Sequence, residues 1–190
     1  MMQSICVYLG AQTGNNPRLN EAATVLGHTI AHAGYRLIYG GSSQGLMGLL
    51  ANAALSRGGV VTGIIPTHLI EKEKPLNTLD ELLVTDSMQE RKRLMEQRAD
   101  AFIVMPGGLG TLEEAFETWN AIKLGLINKP IGFLNIDGFF DGLFTFIATC
   151  IHNGLVSEPD AHIPKLHADP LLLVHELMQH KRFIQQDALV

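Results

Sequence analysis

The sequence has few of the residues that mark disulfide-rich or metal-binding proteins. Only two of its 190 residues are cysteines, Cys6 and Cys150, and both lie in apolar segments. Two cysteines cannot scaffold a chain of this length, so both thiols are expected to be reduced and to act as small apolar side chains. No HExxH motif and no CxxC pair occurs, and the sequence therefore predicts no metal site.

Long apolar runs and an excess of basic charge are also missing. No stretch approaches the roughly 18 consecutive apolar residues of a membrane-spanning helix, and the first positive side chain is Arg18. Lysines and arginines number 14 against 19 aspartates and glutamates, a net charge of −5, which gives no attraction to nucleic acid or to an anionic membrane. We therefore expect a cytoplasmic protein without a nucleic-acid or membrane partner.

What the sequence does contain is typical of a folded globular chain. Apolar residues make up 46% and charged residues 17%, which argues against extended disorder, and the length predicts one domain over residues 1–190. Apolar runs and amphipathic patterns alternate. Strands are predicted at 5–9, 35–39, 60–65, 79–85, 101–105, 130–135 and 163–167, helices at 19–33, 45–56, 87–98, 111–124, 139–151 and 170–180, and a long loop at 71–77.

The alternation of strands and helices predicts an α/β fold. Such units form parallel sheets with right-handed crossovers, and continuously apolar strands suit a sheet that is covered on both faces. We expect a doubly wound sandwich with a mostly parallel sheet of six or seven strands and helices on both faces. A closed (β/α)₈ barrel is disfavoured because it typically takes about 250 residues.

Three predicted strands end in glycine-rich loops, at residues 10–14, 40–48 and 106–111. Ligands of an open parallel sheet bind at the carboxyl ends of its strands, and a glycine-rich turn that opens a helix presents free backbone N–H groups to an anion. One such loop could serve packing alone, whereas three at one sheet edge favour a nucleotide or a sugar phosphate. The candidate binding residues in the second loop are Gly41 and Gly45.

The loop sequences exclude the most common cofactor sites. No GxxxxGK[ST] motif occurs, so the chain is not a Walker-type ATPase. The first predicted strand is followed by GxxxG instead of a dinucleotide fingerprint, which argues against an NAD enzyme. No lysine lies in a setting that is recognisable for a Schiff base with pyridoxal phosphate. We therefore predict that the protein uses no cofactor.

Glu114 has two interpretations. Thr111 and Glu114 have the spacing of a capping box, which would make Glu114 a structural residue at a helix N-terminus. A carboxylate one turn from a phosphate loop is also well placed to face a sugar ring, and Arg91 and Lys92 offer positive charge at the same sheet edge. With a phosphate on the amides of Gly110 and Thr111, Glu114 could stabilise the oxocarbenium-like state that forms when an N-glycosidic bond breaks.

Three motifs resemble those of the Lonely Guy family of cytokinin riboside 5′-monophosphate phosphoribohydrolases, often labelled possible lysine decarboxylases. They are PGGxGTxxE at Pro106–Glu114, GLMG at Gly45–Gly48, and Met88–Lys92, which is similar to the family's MHxRK. The similarity runs from about residue 5 to at least residue 154, most of the chain.

The resemblance implies a Rossmann-like parallel sheet, an assembly that is at least a dimer, and a catalytic pair of Arg91 and Glu114. The substrate contacts that it implies are Glu73, Lys92, Gly108, Leu109, Gly110, Thr111, Leu112, Glu113 and Asn120. Three residues depart from the family motifs: Gln89 replaces the histidine of MHxRK, Asn120 replaces a threonine, and Ala121 lies where a tryptophan is frequent. The departures leave the catalytic pair intact but bear on the preference for the base.

These observations together predict a hydrolase. It would cleave the N-glycosidic bond of a purine nucleoside 5′-monophosphate, AMP or N6-substituted AMP, to the free base and ribose 5-phosphate. Glu114 would orient water and stabilise the oxocarbenium, and Arg91 would support the departing base or the ribose. The alternative is a non-catalytic carrier or sensor of a phosphorylated ligand, similar to molybdenum cofactor carrier proteins. The presence of both Arg91 and Glu114 favours the enzyme.

Overall fold

The computed structural model describes residues 2–187, which form seven β-strands and eight α-helices. The strands are β1 (Ser4–Tyr8), β2 (Arg36–Tyr39), β3 (Val61–Pro66), β4 (Glu81–Thr85), β5 (Ala101–Val104), β6 (Ile131–Leu134) and β7 (Lys165–His167). The helices are α1 (Pro17–His32), α2 (Gly45–Ser56), α3 (Ile70–Glu73), α4 (Met88–Arg98), α5 (Leu109–Lys123), α6 (Asp141–His152), α7 (Glu158–Ala161) and α8 (Pro170–Asp187). None of these helices is both long and apolar enough to cross a bilayer.

The seven strands form one parallel sheet in the order β4-β3-β2-β1-β5-β6-β7. At its centre, Ile5 of β1 pairs with Leu37 of β2 on one side and with Ala101 of β5 on the other. The chain builds outward from β1 to β4 and then returns to the other side of β1, so the strand order reverses between β1 and β5. Ligands of doubly wound folds bind at such a reversal. The predicted fold class is confirmed.

Two apolar cores cover the two faces of the sheet, because successive strand side chains point to opposite sides. In β1, Ile5 and Val7 face the core beneath α1, α2 and α8, whereas Cys6 and Tyr8 face the core beneath α4, α5, α6 and α7. Full burial of an aliphatic side chain stabilises the fold by about 1.5–3 kcal/mol. Both cysteines, Cys6 and Cys150, are free thiols as expected, and burial raises the pKa of Cys6.

A side-chain cap fixes the start of α4. The Oγ of Ser87 accepts a hydrogen bond from the backbone nitrogen of Glu90 at 3.1 Å, and the Glu90 carboxylate accepts one from the backbone nitrogen of Asp86 at 3.0 Å. Loss of such a cap costs about 1 kcal/mol. Because residues three apart lie on one side of a helix, Met88 and Arg91 share one side of α4.

Two short helices depart from the predicted elements. α3 occupies the first part of the segment predicted as a long loop, residues 71–77, so that prediction is wrong for its first three residues. α3 ends where Lys74 adopts a left-handed conformation (φ 44°) and donates its N–H to the carbonyl of Ile70 at 2.9 Å. α7 follows Ser157, whose Oγ accepts a hydrogen bond from the backbone nitrogen of Asp160 at 3.2 Å. Four residues are too few to show a helical period.

The remaining differences concern element ends. The strand predicted at 79–85 begins at Glu81, and the strand predicted at 163–167 is confined to Lys165–His167. The helix predicted at 170–180 continues to Asp187. Element ends depend on caps and tertiary contacts, so the hydrophobic pattern defines them less sharply than it defines the elements.

Candidate active site

A cavity of about 570 Å³ opens at the carboxyl ends of β1 and β5, where the strand order reverses. A volume of this size suits a small-molecule ligand. The loop after β1 (9–14) and the segment from β5 into α5 (106–108, 110, 111 and 114) form much of its wall. Surrounding helices and loops complete the lining with Leu19, Leu46, Met47, Leu69, Glu73, Met88, Arg91 and Phe139.

Glycines let the three glycine-rich loops approach one another beside this cavity. A Cβ on Gly107 would collide with Thr111 and lie 2.9 Å from the backbone nitrogen of Gly10. A Cβ on Gly45 would overlap the carbonyl group of Ala11, and Gly45 has a left-handed backbone (φ 57°) that favours glycine. These glycines allow the loops to pack against one another, the alternative to ligand binding that the sequence left open for a single loop.

Gly108 and Gly110 lie in a different environment. A Cβ on either would meet no atom within 4 Å, and neither has a left-handed backbone, so neither packing nor conformation requires glycine there. Gly108 is the N-cap of α5, which begins at Leu109 without a capping side chain. The first amides of α5 therefore lie at the cavity beside bare backbone, where an anion can approach them closely.

The predicted capping box of Thr111 and Glu114 is wrong. The N-cap of α5 is Gly108, so Thr111 already lies inside the first turn and is buried. Glu114 lies in the second turn and cannot reach back to cap the helix. The interpretation of Glu114 as a helix-capping residue is thereby removed.

Glu114 is 8% exposed and lines the cavity. Burial raises the pKa of its carboxyl group from 4.5 to about 7, and the Glu113 and Glu73 carboxylates add to the increase. The positive charges of Arg91 and Lys92 oppose it. The carboxyl group therefore changes charge near neutral pH, which suits a group that exchanges protons during a reaction.

Arg91 brings a positive charge to this carboxyl group although the arginine is only 5% exposed. Its Nε donates to the carbonyl of Ile64 at 3.0 Å, and its Nη2 donates to the carbonyl of Gly40 at 3.2 Å. These carbonyls lie on β3 and directly after β2. Its Nη1 lies 3.7 Å from the Sδ of Met88. Hydrogen bonds to β3 and to the residue after β2 thus offset part of the cost of burying a cation.

Glu73 reaches the cavity from the end of α3. Its backbone carbonyl accepts hydrogen bonds from the backbone nitrogen of Ser43 at 3.2 Å and from the Oγ of Ser42 at 3.3 Å, which join α3 to the loop after β2. Its side-chain Oε2 is buried and has no hydrogen-bond partner among the described residues. Buried polar atoms are rarely left without a partner, so this oxygen is available to a donor on a ligand.

Some predicted contact residues do not line this cavity. Lys92 instead contacts the carboxylates of Glu113 and Glu117, which joins α4 to α5. Gly45 borders a neighbouring polar recess of about 380 Å³. The other predicted contacts outside the cavity lining are Gly41, Leu109, Leu112, Glu113 and Asn120. Their roles as substrate contacts stay predictions.

Other cavity residues were not predicted from the sequence. Leu69 directly precedes α3. Phe139 lies two residues after Asp137, which has a left-handed backbone (φ 51°) and accepts a hydrogen bond from Asn16 at 2.9 Å. Nothing local in the sequence connects these residues with a ligand. Met88 does have a signal, since it lies one turn before the predicted catalytic arginine.

Metal ligands do not cluster in the described part of the chain. No three side chains of histidine, cysteine, aspartate or glutamate group there closely enough to hold an ion. His28 and His32 lie one helical turn apart on α1, but no third ligand joins them there. The absence of a metal from the reaction stays a prediction.

Comparison with known proteins identifies the family. Residues 47–177 match the family model described as possible lysine decarboxylase. The cytokinin riboside 5′-monophosphate phosphoribohydrolase LOG7 of Arabidopsis thaliana is 42% identical over 93% of this chain and 82% of its own length. The probable cytokinin riboside 5′-monophosphate phosphoribohydrolase LOGL9 of Oryza sativa subsp. japonica is 39% identical over 93% of this chain and 78% of its own length. The chain belongs to this phosphoribohydrolase family. The resemblance found in the three motifs is confirmed.

Solved structures share the fold at lower sequence identity. The molybdenum cofactor carrier protein of Chlamydomonas reinhardtii has a TM-score of 0.72 at 21% identity, over 94% of this chain and 99% of its own. The molybdenum cofactor binding protein of the phototrophic bacterium Rippkaea orientalis has a TM-score of 0.68 at 23% identity, over 94% of this chain and 97% of its own. At such identities the similarity establishes the fold alone.

The three departures from the phosphoribohydrolase motifs lie away from the cavity. Gln89 and Asn120 are exposed, and Ala121 packs against the core beneath α4, α5, α6 and α7. None of the three lines the cavity formed by the described residues.

The raised pKa of Glu114 predicts that its ionised form destabilises the fold. The carboxyl group has a pKa of about 7 in the folded protein against an ordinary 4.5. Above pH 7 it is ionised in both states, and the folded state carries the full penalty of about 3 kcal/mol, at about 1.4 kcal/mol per tenfold change in proton affinity. Below pH 4.5 it is protonated in both states. Glu114→Gln should therefore raise the free energy of unfolding by up to about 3 kcal/mol at pH 8 and by little at pH 4.5, measured by urea denaturation.

The matched control is Glu21→Gln, the same change at an exposed position of α1. Its free energy of unfolding should stay within about 0.5 kcal/mol of wild type. A Glu114→Gln protein that is no more stable than wild type at pH 8 would contradict the burial of an ionisable group at this position.

Proposed function

We propose that this protein hydrolyses the N-glycosidic bond of purine nucleoside 5′-monophosphates, AMP or N6-substituted AMP, to the free base and ribose 5-phosphate. The proposal is carried by the buried Glu114 carboxyl group near Arg91, in a cavity that also receives the uncapped N-terminus of α5. The names of its relatives describe phosphoribohydrolases of cytokinin riboside 5′-monophosphates. The cytoplasmic location expected from the sequence stays a prediction.

The substrate phosphate occupies the N-terminus of α5. The amides of its first turn, including those of Gly110 and Thr111, donate hydrogen bonds to the phosphate oxygens, and the helix dipole adds to the attraction. Gly108 and Gly110 leave open the space that the phosphate needs. Among the described lining residues, Arg91 is the only lysine or arginine, so backbone amides supply most of the donors to the phosphate.

The ribose lies between the phosphate and the base, against Glu114 and Glu73. Ribose hydroxyl groups are hydrogen-bond donors, and the buried Oε2 of Glu73 lacks a donor among the described residues. The base extends toward Arg91 and the apolar side chains of Leu69 and Phe139, which line the cavity. The phosphate oxygens thereby accept hydrogen bonds from the α5 amides, and the ribose hydroxyl groups donate to Glu73.

The reaction breaks the bond between C1′ of the ribose and the base nitrogen. As this bond lengthens, the Glu114 carboxylate stabilises the oxocarbenium-like charge on the ribose and accepts a proton from the water that attacks C1′. Both bonding electrons leave with the base, and Arg91 supports the charge that develops there or orients the ribose. The proton is then transferred to the base nitrogen, which regenerates the Glu114 carboxylate.

The cavity suits a hydrolase better than it suits a carrier of a phosphorylated ligand. Binding a phosphorylated ligand requires donors such as the α5 amides, but not a carboxyl group that titrates near pH 7 beside them. The similarity to the molybdenum cofactor carrier protein is one of fold, at 21% identity. The presence of Glu114 and Arg91 in one cavity therefore favours hydrolysis.

Incubation with AMP and with adenosine tests the proposal. Chromatography should detect adenine from AMP, whereas kcat/KM for adenosine should be at least about 100-fold lower, since each charge-assisted hydrogen bond to the phosphate contributes about 1.5–3 kcal/mol. Gly110→Ala places a methyl group in the proposed phosphate space and should raise KM for AMP about 10-fold or more. Its fold should be at least as stable, because alanine is the better helix residue by about 0.5–1 kcal/mol.

Gly142→Ala is the control for that substitution, because Gly142 also faces open space but lies on α6. Its KM should match that of wild type. Equal kcat/KM values for AMP and adenosine would refute the phosphate placement, and binding of AMP without release of adenine would favour the carrier.

Glu114→Gln tests the chemistry directly. The amide keeps the size of the side chain but carries no negative charge, so kcat should fall by roughly 10²–10⁴-fold while AMP affinity changes little. In wild type, kcat/KM should rise with pH through about pH 7, because the active form carries ionised Glu114 and the pKa of this group is about 7. Near wild-type turnover by Glu114→Gln, or a profile that falls across this range, would contradict the mechanism.

We also propose that the protein forms a homodimer, as the family resemblance implies. In α6 only Ile147 is buried, and Phe116 of α5 stacks on Trp119, which stacks on Phe144 of α6. α5, α6 and the segments that follow them carry large exposed apolar side chains, which are typical of interaction sites. We place the dimer contact on this set of residues, the apolar face, which comprises Phe116, Leu124, Leu126, Phe146 and Leu155.

Phe146→Glu should convert the dimer into a monomer, because it introduces a charge into the apolar face. Light scattering after size-exclusion chromatography measures the mass. Leu171→Glu on α8 is the control, since Leu171 is 63% exposed and Phe146 is 62% exposed, and it should remain dimeric. A monomeric wild type would refute the proposed assembly.

A further inference from the structure

Arg91 has five N–H groups, and three of them have partners in the protein. Nε donates to the carbonyl of Ile64 at 3.0 Å, Nη2 donates to the carbonyl of Gly40 at 3.2 Å, and Nη1 lies 3.7 Å from the Sδ of Met88. The side chain also lines the cavity. Because the guanidinium is a rigid plane, these three contacts set the direction of the one N–H that remains on each Nη.

Position 40 requires glycine because of the Arg91 side chain, and not because of the backbone conformation of Gly40 itself. The φ of Gly40 lies outside the left-handed region, so an L-residue could adopt this conformation. A Cβ here, however, would overlap Nη2 of Arg91 and lie 2.9 Å from the Sδ of Met47. Since both neighbours are buried, an alanine at position 40 must displace the guanidinium.

Met88 holds the other end of the guanidinium from one turn earlier on α4. A thioether is a weak and uncharged acceptor, so it retains Nη1 without neutralising the positive charge. A carboxylate at this position would bind Nη1 more strongly and would compete with Glu114 and the substrate for that charge. Methionine therefore suits a site that needs the charge of Arg91 undiminished.

We propose that Gly40 and Met88 are positioning residues for Arg91. Gly40 provides the space that Nη2 occupies, Met88 retains Nη1, and the two remaining N–H groups face the substrate. This inference rests on the proposed catalytic role of Arg91. Neither positioning residue transfers a proton, but turnover depends on the identity of both.

Kinetics with AMP test the inference through kcat and through the pH dependence of kcat/KM. Gly40→Ala should lower kcat by about 100-fold, the scale for a catalytic group misplaced by about 1 Å, and Met88→Leu by roughly 3- to 10-fold, the scale of one hydrogen bond. Both should shift the acid limb of the kcat/KM profile to higher pH, because a displaced Arg91 lowers the pKa of Glu114 less. A merely structural effect would not move this limb.

Matched controls separate positioning from general damage. Gly142→Ala adds a methyl group at an open position, and Met95→Leu replaces a buried core methionine on the same helix as Met88. Both should keep kcat within about 2-fold of wild type and leave the pH profile unchanged, since volume-conserving or surface changes disturb a fold little.

The position of Arg91 can also be read without turnover. In protein labelled with ¹⁵N-arginine, the Nε–H signal of Arg91 is assigned by its loss in Arg91→Lys. It should exchange slowly with water in wild type and in Gly142→Ala, because the group is buried and bonded to Ile64. It should lose this protection in Gly40→Ala.

Gly40→Ala and Met88→Leu proteins with wild-type kcat, pH profile and Nε–H protection would overturn the inference. If Gly40→Ala does not fold, Met88→Leu alone tests the inference, and an unchanged pH profile of Met88→Leu would overturn the inference. If wild type releases no adenine from AMP, the proposed function fails. A loss of Arg91 protection that occurs in Gly40→Ala and not in Gly142→Ala would then still support the positioning.

Discussion

The buried charge of Arg91 is the constraint on which the site depends. Removing an unpaired cation from water costs several kcal/mol, and this side chain is only 5% exposed. The carbonyls of Ile64 and Gly40 accept two of its N–H groups, so that β3 and the end of β2 meet one side chain of α4. α4 can take this position only when the strands are in their native order, and α5 brings Glu114 near the same charge. The proposed catalytic pair is therefore a product of the whole sheet.

Glu114 is balanced between two opposing effects. Burial raises the pKa of its carboxyl group to about 7, and Arg91 limits the increase. A buried carboxyl group without that cation would stay protonated at neutral pH and could neither stabilise a positive charge nor accept a proton. An exposed carboxylate would be ionised, but water would weaken its field at the ribose. The site combines a buried carboxyl group with a nearby buried cation, at a cost in stability that active sites commonly carry.

The sheet and its glycine-rich loops could be predicted because their signals are local. Apolar runs such as residues 101–105 suit strands buried on both faces, and Gly45 and Gly107 mark loops that leave no room for a side chain. Local patterns could not predict the position of Glu73, which only the family resemblance implied, because α3 has four residues and is held by serines 30 and 31 residues away. The prediction of a capping box at Thr111 was wrong for a related reason. A local pattern contains no information about the cavity, where α5 begins after Gly108 without a capping side chain.

The cavity walls proposed to face the base are held differently from the catalytic pair. Leu69 belongs to the short 3₁₀ segment Thr67–Leu69, and Phe139 directly follows another. Side-chain hydrogen bonds, such as that from Asn16 to Asp137 at 2.9 Å, support these segments, and a bond of this kind contributes about 1 kcal/mol. Neither segment supplies the strand carbonyls that hold Arg91. Substitutions in these walls can therefore alter the preference for the base without moving the guanidinium, so substrate choice and bond cleavage can vary independently within one fold.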